Sequence, residues 1–274
     1  MYVDSHCHLS FPELAGQLAD IRAEMAAAGV DRALCICTTL EEFDTVHAMA
    51  VAHDNFWCTV GVHPDNEGIA EPTPGDLCER AARDKVVAIG ETGLDYYRLN
   101  GRSVADMAWQ RERFRVHIDA ARATGLPLVI HTRSASDDTL AILREQGGAQ
   151  AGGVFHCFTE TLAVARAALD LGFYVSFSGI LTFRNAVELQ EVARFVPLER
   201  CLIETDSPYL APVPFRGKIN TPARVPFVAK QLAALKGLEV AEVAEATSRN
   251  FERLFARTQP VATQSIDRDK QSIT

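Results

Sequence analysis

Eight short apolar, β-branched runs, at 2–7, 31–37, 56–61, 86–90, 127–131, 153–157, 173–177 and 201–205, recur along the 274 residues with helical patterns between them. The patterns include 13–28, 103–124, 136–145 and 161–171, and glycine stands where several must stop: Gly29, Gly125, Gly147 with Gly148, and Gly172. Strand and helix in strict alternation predict an α/β chain, here a (β/α)8 TIM-like barrel, with a doubly wound open sheet as the lesser possibility. Length alone would allow two domains, but such barrels commonly use about 250 residues as one. A single barrel domain over 1–257 is therefore expected, and a hydrophobic content of 47% is ample for its core.

Pro208, Pro212, Pro214 and Pro222, with Pro226 just beyond, make the stretch 207–222 an irregular loop after the eighth run. Two helical segments follow at 223–236 and 240–256. From 258 to 274 the chain is polar and aperiodic, which predicts a disordered tail.

Barrel enzymes gather their chemistry at the C-terminal ends of the strands. His6 and His8 end the first run, His63 the third, Glu91 the fourth, His131 the fifth, His156 the sixth and Asp206 the eighth. Residues two apart on a strand share a face, so His6 and His8 can grip one ion together. Any one strand-end histidine is as readily a structural polar group as a ligand, and nothing in the sequence places His47, His53 or His117 at the mouth. Five of eight histidines converging with two carboxylates is a different matter, and points to a two-metal site.

In that reading His6 and His8 hold one divalent ion with Asp206, His131 and His156 hold the second, and Glu91 bridges. Two ions bring four positive charges against the two carboxylates, a balance that suits a phosphate ester. Asp206 is the first choice for base. Glu204, two residues earlier, is expected to relay a proton or support a ligand, with an ion pair to an arginine inside the barrel as the structural alternative. Arg98, Arg133, Arg216, Lys218 and Arg224 follow strand ends and could clamp phosphates, while Tyr96, Tyr97, Phe158, Tyr209 and Phe215 could stack bases. Zinc, manganese and magnesium all remain open, although four imidazoles favour a transition ion.

Composition narrows the partners. A net charge of −9 argues against broad electrostatic capture of nucleic acid, so any phosphate must be held locally. Seven cysteines, an odd number without a Cys-x-x-Cys pair, read as buried thiols. Met1 leads straight into a candidate core strand and no apolar run is long enough for a bilayer, which predicts a cytoplasmic protein without a membrane partner.

The motifs VDSHCHL (3–9), GVHP (61–64), IGETGLDYYR (89–98), PLVIHTRSASD (127–137), FHCF (155–158), LIETDSP (202–208), RGKINTP (216–222) and NFERLF (250–255) together resemble the TatD family of metal-dependent hydrolases, within the amidohydrolase-like superfamily. The resemblance implies a TIM-like barrel, a two-metal centre on His6, His8, Glu91, His131, His156 and Asp206, and a substrate-side role for His63. It also implies phosphodiester hydrolysis, above all 3′-to-5′ exonuclease action on DNA ends. Ser10, Asp65-Asn66 and Cys201 depart from the family pattern without removing a ligand, and the 63–66 loop leaves substrate choice open. Hydrolysis of a carbon-centred bond is the alternative, as in D-aminoacyl-tRNA deacylases or amidohydrolases; Glu91, where the wider superfamily often has a bridging modified lysine, favours the nuclease-like branch.

Overall fold

The computed structural model describes residues 1–259. Its strands, β1 (Tyr2–Cys7), β2 (Val30–Cys35), β3 (Phe56–Val60), β4 (Val86–Asp95), β5 (Leu128–Arg133), β6 (Gly153–Phe155), β7 (Tyr174–Phe177) and β8 (Cys201–Ile203), are parallel and pair in chain order. Just beyond β8 the chain returns to β1: Asp206 N–H donates to His6 O at 2.9 Å, and His8 N–H donates to Ser207 O at 2.8 Å. The sheet thereby curls into a single-domain barrel, and the open-sheet alternative falls away.

Around the strands lie α1 (Pro12–Ala15), α2 (Leu18–Ala27), α3 (Phe43–Val51), α4 (Pro74–Ala81), α5 (Ala108–Thr124), α6 (Ser136–Glu145), α7 (Leu162–Asp170), α8 (Val187–Phe195), α9 (Val225–Lys236) and α10 (Val240–Leu254). Gly16 divides the helix expected at 13–28 into α1 and α2, and the one expected at 103–124 opens with a tight turn (Val104–Met107) before α5 begins. Of the tail expected from 258, Thr258 closes a turn (Ala256–Thr258), and the residues from 260 lie outside the described ones. No described helix is long and apolar enough to cross a membrane.

Two apolar layers organise the barrel. Between strands and helices lie Cys7, Cys35, Cys58, Ile89, Leu128 and Ile130, whereas Val3, Leu34, Val87, Val129, Val154 and Leu202 fill the lumen. Phe251 of α10 and Phe255 just after it cluster with these lumen residues, and Asn250 donates to the carbonyls of Leu198 and Cys201 where β8 begins. That end is plugged, so chemistry is left to the other.

Alternation along β1 is interrupted once. Asp4 pairs with Ala33 and Cys7 with Cys35, so three steps on β1 oppose two on β2. With Val3 in the lumen, an uninterrupted alternation would send His6 and His8 out among the helices. The bulge reverses the later residues, turning both histidines inward and Cys7 outward. β4 has a similar irregularity, since Ile89 pairs with Leu128 and Thr92 with Ile130, leaving Gly90 and Glu91 opposite Val129. This bulge sets Glu91 among the lumen histidines.

β4 also runs to Asp95, five residues past the expected end. Gly90 and Gly93 break the apolar pattern that marks a strand, yet the ladder needs Gly93: a Cβ there would sit 1.9 Å from the carbonyl oxygen of His131. β6 and β8 stop short, and the chain beyond them turns through positive φ at Cys157 (41°) and Asp206 (54°), conformations that non-glycine residues rarely adopt.

Candidate metal centre

All six expected ligands meet at the C-terminal mouth around Glu91. His6 Nε2 lies 3.3 Å from Glu91 Oε2 and 3.6 Å from Asp206 Oδ1, and His8 Nε2 lies 3.3 Å from Asp206 Oδ1. On the other oxygen, Glu91 Oε1 is 2.8 Å from His156 Nε2, 3.3 Å from His131 Nδ1 and 3.4 Å from His63 Nε2. The carboxylate thus divides its oxygens between two sets of imidazoles.

Carboxylates behind the rings fix which nitrogen faces inward. Asp95 Oδ2 is 2.9 Å from His131 Nε2, and Glu204 Oε1 is 3.3 Å from His156 Nδ1. In the neutral rings that can take an ion, each partner draws the remaining proton to its own side and leaves the opposite nitrogen's lone pair toward Glu91. His63 is different: its Nδ1 accepts the N–H of Asp65 at 3.0 Å, which assigns the neutral ring's proton to Nε2. It faces Glu91 as a donor.

Burial opposes charge on every member, but the neighbours decide the balance. The imidazoles of His156, His63 and His6 outweigh burial and hold Glu91 well below the usual carboxylate range. Burial is likewise outweighed in Asp206, which bonding to His8 keeps ionised, and in Asp95, kept so by His131. Burial and the charge of His156 together push His6 down.

This donor set fits a metal. His6, His8 and Glu91 bring ligand atoms within 4.8 Å of one another, as do His6, His156 and Asp206, and His63, Glu91 and His131. Among the described residues, Glu91 Oε2 and His156 Nε2 are buried without a hydrogen-bond partner. Leaving such an atom unsatisfied costs about 1–3 kcal/mol, which a cation held between them would relieve. Imidazole and carboxylate donors suit zinc, manganese or a similar ion.

Other expected residues separate. Arg98 and Arg133 line the cavity over the centre, about 690 Å³, together with Phe11, Tyr209 and Asp206. Arg133 lies flat on Tyr97, 3.7 Å from the ring centroid. Arg216 and Lys218 are outside that lining on the loop after β8, where Arg216 stacks over Phe183 at 4.1 Å. Arg224 stacks on Phe215 at 4.5 Å, Phe158 is core, and Tyr96 donates its hydroxyl to Asp138. Glu204 is fully buried behind His156, accepting the N–H of Cys157 at 2.8 Å, so its partner is not an arginine. Asp95, which supports His131, is not marked by the sequence expectations, although its place four positions after Glu91 is an available signal.

Against known proteins, a model of the family described as TatD related DNase matches residues 3–256. The chain belongs to that family. The "Uncharacterized metal-dependent hydrolase YcfH" of Escherichia coli (strain K12) is similar to this TatD-family chain, with 49% identity over 256 residues that cover 92% of this chain and 95% of that one. A Shigella flexneri protein named "3'-5' ssDNA/RNA exonuclease TatD" is 31% identical, covering 92% and 98%. Among solved structures, the TatD homologue YJJV from Escherichia coli superposes with a TM-score of 0.86 at 28% identity, covering 93% and 98%. This TatD-family barrel is thus a metal-dependent hydrolase.

Proposed function

We propose that this hydrolase cleaves phosphodiesters at a two-metal centre and trims DNA from its 3′ end. The division of Glu91 between two imidazole sets carries the reading, because one carboxylate bridging two ligand groups suits a pair of ions. His6, His8, Asp206 and Glu91 Oε2 would hold the first, and His131, His156 and Glu91 Oε1 the second. Such ions would supply an activated water and polarise a phosphoryl oxygen.

The chain's own groups do the rest. Asp206 lies on the cavity wall and stays ionised despite burial, so it can accept the water's proton. His63 lines the same cavity, and once Glu91 is engaged by ions its Nε2–H can turn to an oxygen of the substrate. Arg133, held flat by Tyr97, presents guanidinium N–H groups to a flanking phosphate, and Arg98 lies on the same wall. Phe11 and Tyr209, 6.3 Å apart edge to face, give a terminal base an aromatic wall. The activity in the Shigella flexneri relative's name supports the choice of substrate.

The test is to incubate manganese-loaded protein with 3′-labelled and 5′-labelled DNA, RNA and a D-aminoacyl-tRNA, beside Glu91→Ala and Asp206→Ala. Stepwise release of the 3′ label, abolished in both variants, is expected. Cleavage that survives both variants, or activity confined to the tRNA ester, overturns the reading.

A further inference from the structure

Helix α5 carries Gln110, Arg113 and His117 at helical spacing, all buried. Buried polar groups need partners, and each of these finds one on a segment that leads to the metal centre. Gln110 Oε1 accepts the N–H of Asp95 at 2.9 Å while its Nε2 donates to Asp95 O at 3.0 Å, so one side chain holds both backbone groups of the residue behind His131. Arg113 Nη1 donates to His63 O at 2.9 Å and Asn66 O at 2.7 Å, and its Nε and Nη2 grip Glu71 at 2.7 and 2.5 Å. His117 Nε2 accepts the N–H of Val62, next to His63, at 2.9 Å. His63 and His131, which these contacts steady, come from different strand ends and approach to 3.3 Å beside Glu91.

We infer that α5 is a positioning element with two separable arms: Gln110 sets His131 through Asp95, and Arg113 sets His63 through its backbone. Neither side chain lines the cavity over the centre. Because His131 faces Glu91 with a lone pair and His63 with a proton, the arms govern different properties. Gln110 governs ion affinity, and Arg113 governs substrate capture. The second half rests on the phosphodiesterase reading; the first does not.

The experiment is manganese titration calorimetry on the wild type, Gln110→Ala and Arg113→Met, with melting temperatures and with KM and kcat for bis(p-nitrophenyl) phosphate. Gln110→Ala is expected to weaken one of two manganese sites about tenfold and leave the other within about twofold. Arg113→Met should leave both sites unchanged and raise KM about tenfold with kcat within about threefold, Arg113→Lys recovering part of the loss. Glu71 is 52% exposed, so Arg113→Met strands no buried charge. If either variant fails to fold, Gln110→Glu and Arg113→Lys replace them. Ion affinity and KM moving together in both variants, in step with melting temperature, overturn the inference, as does no change in either. Wild-type protein that binds two manganese ions but hydrolyses no diester refutes the phosphodiesterase reading alone, and the Gln110 arm then decides the inference. A wild type without two manganese sites refutes both.

Discussion

The imidazole rings of His6 and His156, from opposite parts of the barrel, stack 3.8 Å apart and 6° from parallel. Two imidazolium ions would repel in that arrangement, so only one ring keeps a proton. Burial disfavours charge on both. In His156 the carboxylates Glu91 and Glu204 outweigh it and hold the ring well above its ordinary value, and Asp206 and Asp95 raise His8 and His131 in the same way. An incoming ion must displace those protons, so affinity rises as pH climbs above 6.5, the ordinary value these rings exceed. Manganese titrations in buffers of different ionisation enthalpy should show proton release; heats that match in every buffer would contradict it.

Glu91 lies against both imidazole sets, whereas Asp206 makes its ion-pair contacts with His6 and His8, so their substitutions should differ. Glu91→Ala is expected to abolish tight binding of both ions. Asp206→Asn should weaken one ion and lower kcat by roughly 10²–10⁴-fold, the range for losing a proton acceptor. Metal content measured after dialysis separates the two outcomes, and equal loss in both variants would count against a bridging Glu91.

Among the described residues, Glu204 reaches the centre through His156 and the N–H of Cys157. Glu204→Gln keeps the volume but lets the ring lose its orientation, with an expected 10–100-fold fall in metal affinity. Excess manganese should restore most of the activity. Activity still lost at saturating metal would mean that Glu204 takes part in the chemistry itself.

Arg133 lies on the cavity wall and Arg216 beyond it. Arg133→Ala should raise KM for a short oligonucleotide by roughly 10- to 150-fold, the 1.5–3 kcal/mol of a charge-assisted hydrogen bond, with Arg216→Ala having less effect. Kinetics on di- and trinucleotides measure this, and the reverse order would move the substrate path to the β8 loop.

His117 links the interior to pH. Burial lowers it from 6.5 to about 4. The unfolded chain therefore binds the proton first as pH falls, and the ring's contribution to stability, complete above 6.5, is lost progressively toward 4. At most about 3 kcal/mol is at stake. Urea unfolding of His117→Gln should show a flatter acid limb than the wild type; parallel curves would exclude it as the source.

The alternation of eight apolar runs with helical patterns was enough for an eight-stranded parallel α/β chain with a barrel preferred, because a buried parallel strand needs a continuous apolar stretch and its return helix an amphipathic one; closure came from the contacts between β8's end and β1. The same map put His6, His8, Glu91, His131, His156 and Asp206 at strand ends. It could not supply Asp95, since glycines conceal the end of β4, nor the role of α5, since a buried polar side chain on a helix gains meaning only from what lies opposite.

The spacing of His6 and His8 by itself determined that the two share a face. Which face was decided only by the tertiary structure: a bulge in β1 turns them from the helix layer into the lumen, and another in β4 brings Glu91 to meet them. The physical reason is that side-chain direction reverses with every residue of register, and register is a property of the paired strands, not of one.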